Sequence, residues 1–284
     1  MAQQRIGRIQ WGNLLFGPGS RYHVTAIEGL DDMPDVRAED MERPAQHGDY
    51  TGPDFVGPRV VQLGLGLRAD SPDGLRDLTL ALRAATQPQQ QPAPLQLLDQ
   101  DTLVYGKIRR RSIPYDAEHL WRTGTAALEV YCADPYLYSL DEHSVSTVAY
   151  SPAAGRTYPW THPRLFGSAG QSGRFTAVNA GASPAYPVLR LDGPVANPSV
   201  EQINASAGIT IDATLNEGEF LTIDTRTRAV LYMGTSARRS WVRSGSQWPI
   251  LMPGENTFAY RGTALPGSPG QQSLLTITWR DTSL

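Results

Sequence analysis

From residue 144 to residue 280 the chain sustains no helical pattern and breaks into short runs, each closed by turn-forming residues. The runs fall at 144–150, 173–179, 187–192, 199–205, 209–215, 220–225, 229–233, 257–261 and 273–280. Ile209, Ile211, Ala213 and Leu215 are separated by Thr210, Asp212 and Thr214, and Leu275, Ile277 and Trp279 by Thr276 and Thr278. A period of two sends alternate side chains to opposite faces of a sheet. Such runs, spaced by roughly 8–12 residues, predict an antiparallel β-sandwich. The change of character after Tyr136 places a domain boundary near residues 137–145, dividing the chain into 1–140 and 141–284.

The first part is mainly β with one helix. Short strands are expected near the start of 7–16 and over 22–27. In 59–69, Val61, Leu63, Leu65 and Leu67 share one face, with Gln62, Gly64, Gly66 and Arg68 on the other. Leu75, Leu78, Leu82 and Ala85 form a stripe at helical spacing over 75–86, with Ser71 or Asp73 to cap the start. The segment 86–94, with three prolines, ends that helix. A hairpin follows, 95–98 and 102–111, joined by Asp99-Gln100-Asp101. Residues 124–131 supply the last strand, which stops at Asp134-Pro135 because proline removes a ladder donor. The phrase 248–256 reads as a strand that runs into Pro253-Gly254 and then resumes.

Composition narrows the function. A net charge of −3 argues against a dedicated nucleic-acid binder, which would carry a basic surplus. The single cysteine, Cys132, excludes an internal disulfide and reads as a small buried hydrophobe. Residues 1–20 contain Arg5 and Arg8 but no continuous apolar core, so the expectation is a chain without a signal peptide, folded in a reducing cytoplasm. No stretch reaches the ~18 apolar residues of a transmembrane helix.

No residue set reads as catalytic, cofactor-binding or metal-ligating. His23, His47, His119, His143 and His162 include no i, i+4 pair. Gly64-x-Gly66-x-x-Ala69 matches a dinucleotide fingerprint, but the glycines lie inside an alternating strand rather than between strand and helix. Asp134 and Asp224 read as turn residues. Residues 28–43, with seven acidic and two basic side chains, read as a solvated loop, lacking the Asp/Asn ladder of a calcium loop. The basic run 107–111 suits a solvated face or a protein partner better than DNA, having no interleaved aromatics. Trp160, Trp241 and Trp248 would suit a sugar-stacking platform, although core packing is the ordinary use of such rings. Asn204-Ala205-Ser206 matches a glycosylation acceptor and means little without a secretion signal.

Read in order, the chain resembles the distal tail protein (Dit) family of long-tailed bacteriophages, the siphovirus-type tail components. The stretches that carry it are His47-Gly48-Asp49-Tyr50 with 57–61; the helix, proline break and hairpin; 128–138; and, further on, Asn179-Ala180-Gly181, Pro187, Leu191, Gly193, Asn197-Pro198, 218–224 and 248–256. The resemblance implies an N-terminal belt domain (1–140) that closes into a hexameric ring on the tail tube, leaving a channel for DNA in transit. It implies a C-terminal galectin-like, jelly-roll sandwich (141–284) projecting towards the baseplate or receptor-binding components. The partners implied are other copies of the chain, the tail tube protein, the hub or tip protein, and a receptor-binding protein or host glycan. Such a protein belongs in the virion, and in the host cytoplasm during assembly. No catalytic residue or cofactor comes with the resemblance. A channel for DNA should be poor in basic side chains, so the 107–111 run is expected to make protein contacts rather than line it. A carbohydrate-binding sandwich, and an enzyme whose acids meet only in space, are the competing readings.

Overall fold

The computed structural model describes residues 7–115, 122–150, 172–265 and 272–284. The chain is mostly strand, with one α-helix among the described residues, and divides into two compact units, one ending at Leu140 and one spanning Asp141–Ser283.

The first unit contains β1 (Ile9–Trp11), β2 (Leu14–Phe16), β3 (Tyr22–Glu28), β4 (Val36–Ala38), β5 (Met41–Glu42), β6 (Asp49–Tyr50), β7 (Asp54–Val56), β8 (Arg59–Arg68), α1 (Pro72–Ala85), β9 (Ala93–Leu97), β10 (Thr102–Ser112), β11 (Thr123–Cys132) and β12 (Leu137–Ser139). The strands run in the order β2-β1-β9-β10-β11-β8-β3, all antiparallel. The long β10 is shared. Its first half, 102–106, pairs β9, and its second half, 107–112, pairs β11. The crossover falls at Gly106, where a Cβ would stand 2.5 Å from Val130 Cγ1 and 2.9 Å from the Cys132 sulfur. Only glycine fits that approach.

The alternation read in 59–69 and 124–131 is the packing seen. Val61, Leu63, Leu65 and Leu67 of β8, with Ala126, Leu128 and Val130 of β11, are buried on one face. α1 covers that core with Leu75, Thr79 and Leu82. Its start matches the expected signal: Ser71 is the cap and accepts from the Gly74 N–H at 3.1 Å. Its last carbonyls are satisfied by Trp11 Nε1, which donates to Ala85 O at 3.2 Å, and by Arg111, which donates to Arg83 O at 2.9 Å.

The acidic segment differs from the solvated loop expected. Residues 36–56 fold as a two-stranded ribbon in two pieces, β4 with β7 and β5 with β6. Its residues are nonetheless almost all exposed. Charge and proline conceal this ribbon from a reading of apolar periodicity.

The second unit contains β13 (His143–Val148), β14 (Arg174–Asn179), β15 (Val188–Asp192), β16 (Val195–Gln202), β17 (Ala207–Thr210), β18 (Thr214–Leu215), β19 (Phe220–Asp224), β20 (Ala229–Tyr232), β21 (Ser236–Ala237), β22 (Gly254–Thr263) and β23 (Leu274–Trp279). A six-stranded sheet, β13-β23-β15-β19-β20-β21, and a five-stranded one, β14-β22-β16-β17 with β18 on β16, contribute to one core. Leu189, Leu191, Leu221, Ile223, Leu275 and Ile277 come from the first, and Val200, Ile209, Leu215, Phe258 and Tyr260 from the second. This is the antiparallel sandwich that the spacing predicts.

Two runs are corrected. The 209–215 run is not one strand: β17 ends at Thr210, and Ile211 forms a single bridge with Val242. The partner β16 is irregular between Ala196 and Ser199, so the second piece, β18, pairs only its start. The 248–252 stretch is not a strand either; its sole ladder contact is a bridge between Leu251 and Ala185, and regular pairing begins at Gly254.

Candidate functional site

The residues tested as chemical candidates are dispersed or structurally committed. Among the described residues no three His, Cys, Asp or Glu side chains gather as a metal ion would require. His23 and His47 are exposed on different strands or turns. His143 Nε2 lies 3.0 Å from Asp281 Oδ2. His119, His162 and Trp160 lie outside the described residues. Cys132 is fully buried, and burial pushes its thiol up to about 11. Asp134 accepts from the Tyr138 hydroxyl at 2.6 Å, and Asp224 accepts from the Arg226 and Thr227 N–H groups at 2.8 and 3.1 Å. Both hold turns. The Asn204 amide donates to Glu255 O at 3.1 Å, which commits it to the fold.

The rings proposed for sugar stacking are also occupied. Trp241 and Trp248 both pack against the second core. The Arg238 guanidinium lies over Trp241 at 5.5 Å from its centroid, and that of Arg239 over Trp248 at 5.2 Å.

Gly64 and Gly66 lie mid-strand in β8, not at the strand-to-helix turn that the dinucleotide fingerprint requires. A Cβ on Gly64 would stand 2.7 Å from Thr25 Oγ1, the residue skipped by the register between Val24 and Ala26. The glycine makes room for a bulge in the neighbouring strand. Above it lies an open groove of about 380 Å3, lined by Ala26, Glu28, Gln62, Gly64, Arg110 and Glu129 among others.

The basic run is distributed by a second bulge. The register of β10 on β11 shifts between Ile108 and Arg110. Lys107 lies opposite Tyr131 and Arg110 opposite Glu129, whereas Ile108 faces the buried Val130 and Arg111 the buried Leu128. The extra residue, Arg109, stacks its guanidinium on Tyr131 at 3.6 Å. A bulge thus turns Lys107, Arg109 and Arg110 to the outer face and leaves Arg111 to cap α1. Lys107 Nζ donates to Gln90 O. Arg109 and Arg110 are exposed.

Two polar clusters that carry no sequence motif hold the loops. Arg59 is 2% exposed and donates through Nε to Pro135 O at 2.8 Å and through Nη1 to the carbonyls of Gly29, Leu30 and Asp32. Burial pulls its pKa below the ordinary value, opposed by the charges of Asp31 and Asp32. In the second unit, Asn179, Gln202 and Asn256 are each at most 1% exposed. Asn179 donates to Ser183 O and Leu251 O, Gln202 to Ile250 O and Asn256 Oδ1, and Asn256 to Met252 O and Gly254 O. These amides replace a β-ladder along 250–254. The isolated polar residue in an apolar run was the available signal.

Among the described residues, these buried polar groups serve as clamps on loop backbone. The Dit protein (gp 19.1) of phage SPP1, described as a paradigm of the hub adsorption apparatus in phages infecting Gram-positive bacteria, has a TM-score of 0.65 to this chain at 13% identity, covering 93% of this chain and 94% of that one. Chains of the phage P2 baseplate in its activated conformation, with Ca and with Sr, give 0.51 at 9% identity over 95% of this chain and 96% of theirs. At these identities the likeness is one of fold, and it spans both units. No curated protein matches the sequence. Residues 180–281 match the family model described as the siphovirus-type tail component, C-terminal domain. That match covers 102 of the 284 residues and lies wholly within the second unit, which is similar to the siphovirus-type tail components.

Proposed function

We propose that this protein is a structural, non-enzymatic component of a long-tailed phage tail tip, a distal tail protein whose copies close into a hexameric ring. The first unit, residues 1–140, acts as the belt of the ring and leaves a channel through which DNA passes without being bound. The second, residues 141–284, is the galectin-like sandwich that offers a surface to baseplate or receptor-binding components. Its partners are copies of itself, the tail tube protein above and the hub or tip protein below, in the virion and, during assembly, in the host cytoplasm.

One observation carries this reading: a fold likeness over 93% of the chain to a hub protein coincides with the tail-component family match in the second unit. The sheet topology supports it. The second half of β10 pairs β11 on one side, and among the described residues no strand pairs 107–112 on the other. At the far side β3 pairs β8 alone among the described strands. A four-stranded sheet with two open edges is prone to edge-to-edge association, and closed head-to-tail symmetry removes both edges. Four is even, so antiparallel alternation is preserved when β3 of one copy meets β10 of the next. Negative-stain electron microscopy of the purified protein tests the proposal. Rings with a central hole are expected, and fields of single compact particles at high concentration would overturn it.

A further inference from the structure

Among the described residues, the strands of the ribbon 36–56 pair only with one another. Two-stranded ribbons are marginal in water without a third strand or an apolar floor. This one exposes Met41 at 70%, Tyr50 at 56% and Phe55 at 49%, with Met33 at 71% beside its base. Met41 and Tyr50 are directly opposite each other, so their side chains share one face.

Its charge is equally unbalanced. Residues 28–56 hold nine acidic and two basic side chains, a net of −7 against −3 for the whole chain, which leaves +4 elsewhere. Glu42 lies directly opposite Asp49 in the ribbon. Like charges in that position repel, and a cation brought from outside relieves them. The arm leaves the sheet at the end of β3, one open edge. The other open edge, β10, is where the bulge turns the exposed Arg109 and Arg110 outward.

We propose that the acidic arm of one copy docks on the β10 edge of a second copy, setting the face that carries Glu42 and Asp49 against Arg109 and Arg110. This interface rests on the ring reading above and assigns it a residue-level clasp. It is electrostatically specific, because the edge that carries the arm repels another arm and the edge that carries the arginines attracts one.

A charge-swap cycle on the full chain tests it, with native mass spectrometry and sedimentation over a concentration series, and circular dichroism to confirm folding. Glu42→Arg with Asp49→Arg is expected to raise the concentration of half-assembly by about tenfold or more, and Arg109→Glu with Arg110→Glu to do the same. All four changes together are expected to restore assembly to within about threefold of the starting protein. If either pair leaves assembly unchanged, or if the combination fails to recover it, the clasp is wrong while the ring stands. If the unaltered protein is monomeric throughout, the ring reading itself fails.

Discussion

Arg59 Nε donates to the carbonyl oxygen of Pro135 at 2.8 Å, joining the start of β8 to the turn that ends β11. The same guanidinium takes the carbonyls of Gly29, Leu30 and Asp32, the segment from which the acidic arm departs. One buried cation thus fixes the root of the arm against the body of the first unit. Arginine suits the task because its planar fork presents several donors at once and keeps its charge when buried.

Replacing Arg59 by methionine keeps the apolar stem and leaves four carbonyls without their donor. We expect a loss of about 3 kcal/mol or more of unfolding free energy, measured by urea denaturation. Lysine should recover little of it, since a single ammonium cannot reach the positions served by both Nε and Nη1. Full recovery by lysine would show that charge alone holds the turn.

Asn256→Ala is expected to cost about 2–3 kcal/mol. The change removes donors to Met252 O and Gly254 O and the acceptor for the Met252 N–H. Hydrogen exchange should quicken along 250–254 in the same variant. Unchanged protection there would mean that the Leu251 bridge alone holds the segment.

The Cys132 thiol, raised to about 11 by burial, should resist iodoacetamide at pH 8 in the folded protein and react fully in urea. A raised pKa means that the folded state holds the proton more tightly. Its stabilising contribution is intact below the ordinary thiol value and lost as pH rises through about 11. Rapid labelling of native protein would contradict the burial.

Glu219 shows the opposite sign. Its carboxylate accepts from the Asn216 N–H at 2.7 Å and from the Tyr232 hydroxyl at 2.7 Å, which lowers its pKa below the carboxylate range. The stabilisation is present above the ordinary value and disappears as pH falls through the lowered one. Glu219→Gln should therefore be less stable near neutrality by at most about 1 kcal/mol, given its partial exposure. The gap should close in unfolding curves as pH falls from the ordinary glutamate range through the lowered value. A gap independent of pH would assign the effect to packing.

Much of the fold was legible because burial on one face of a sheet imposes a period of two. β8, β11, β19 and β23 stand where alternation predicts them, and α1 follows from its cap and its stripe. What escaped depends on partners. The bulge at Arg109 exists because Ile108 and Arg111 both face inward, which only the register with β11 dictates. The 248–252 phrase looks like a strand because of its apolar residues, yet two distant amides, Asn179 and Gln202, and the nearby Asn256 satisfy its backbone. The arm lacks apolar alternation because it has no core beneath it. For the proposed assembly surface the sequence showed the basic and acidic runs separately, and the topology of the open edges relates them.

The central claim is that this chain joins copies of itself into a closed ring. Native mass spectrometry of the purified protein tests it most directly: the account predicts one dominant species at six times the chain mass, and a strictly monomeric spectrum at all concentrations would contradict it.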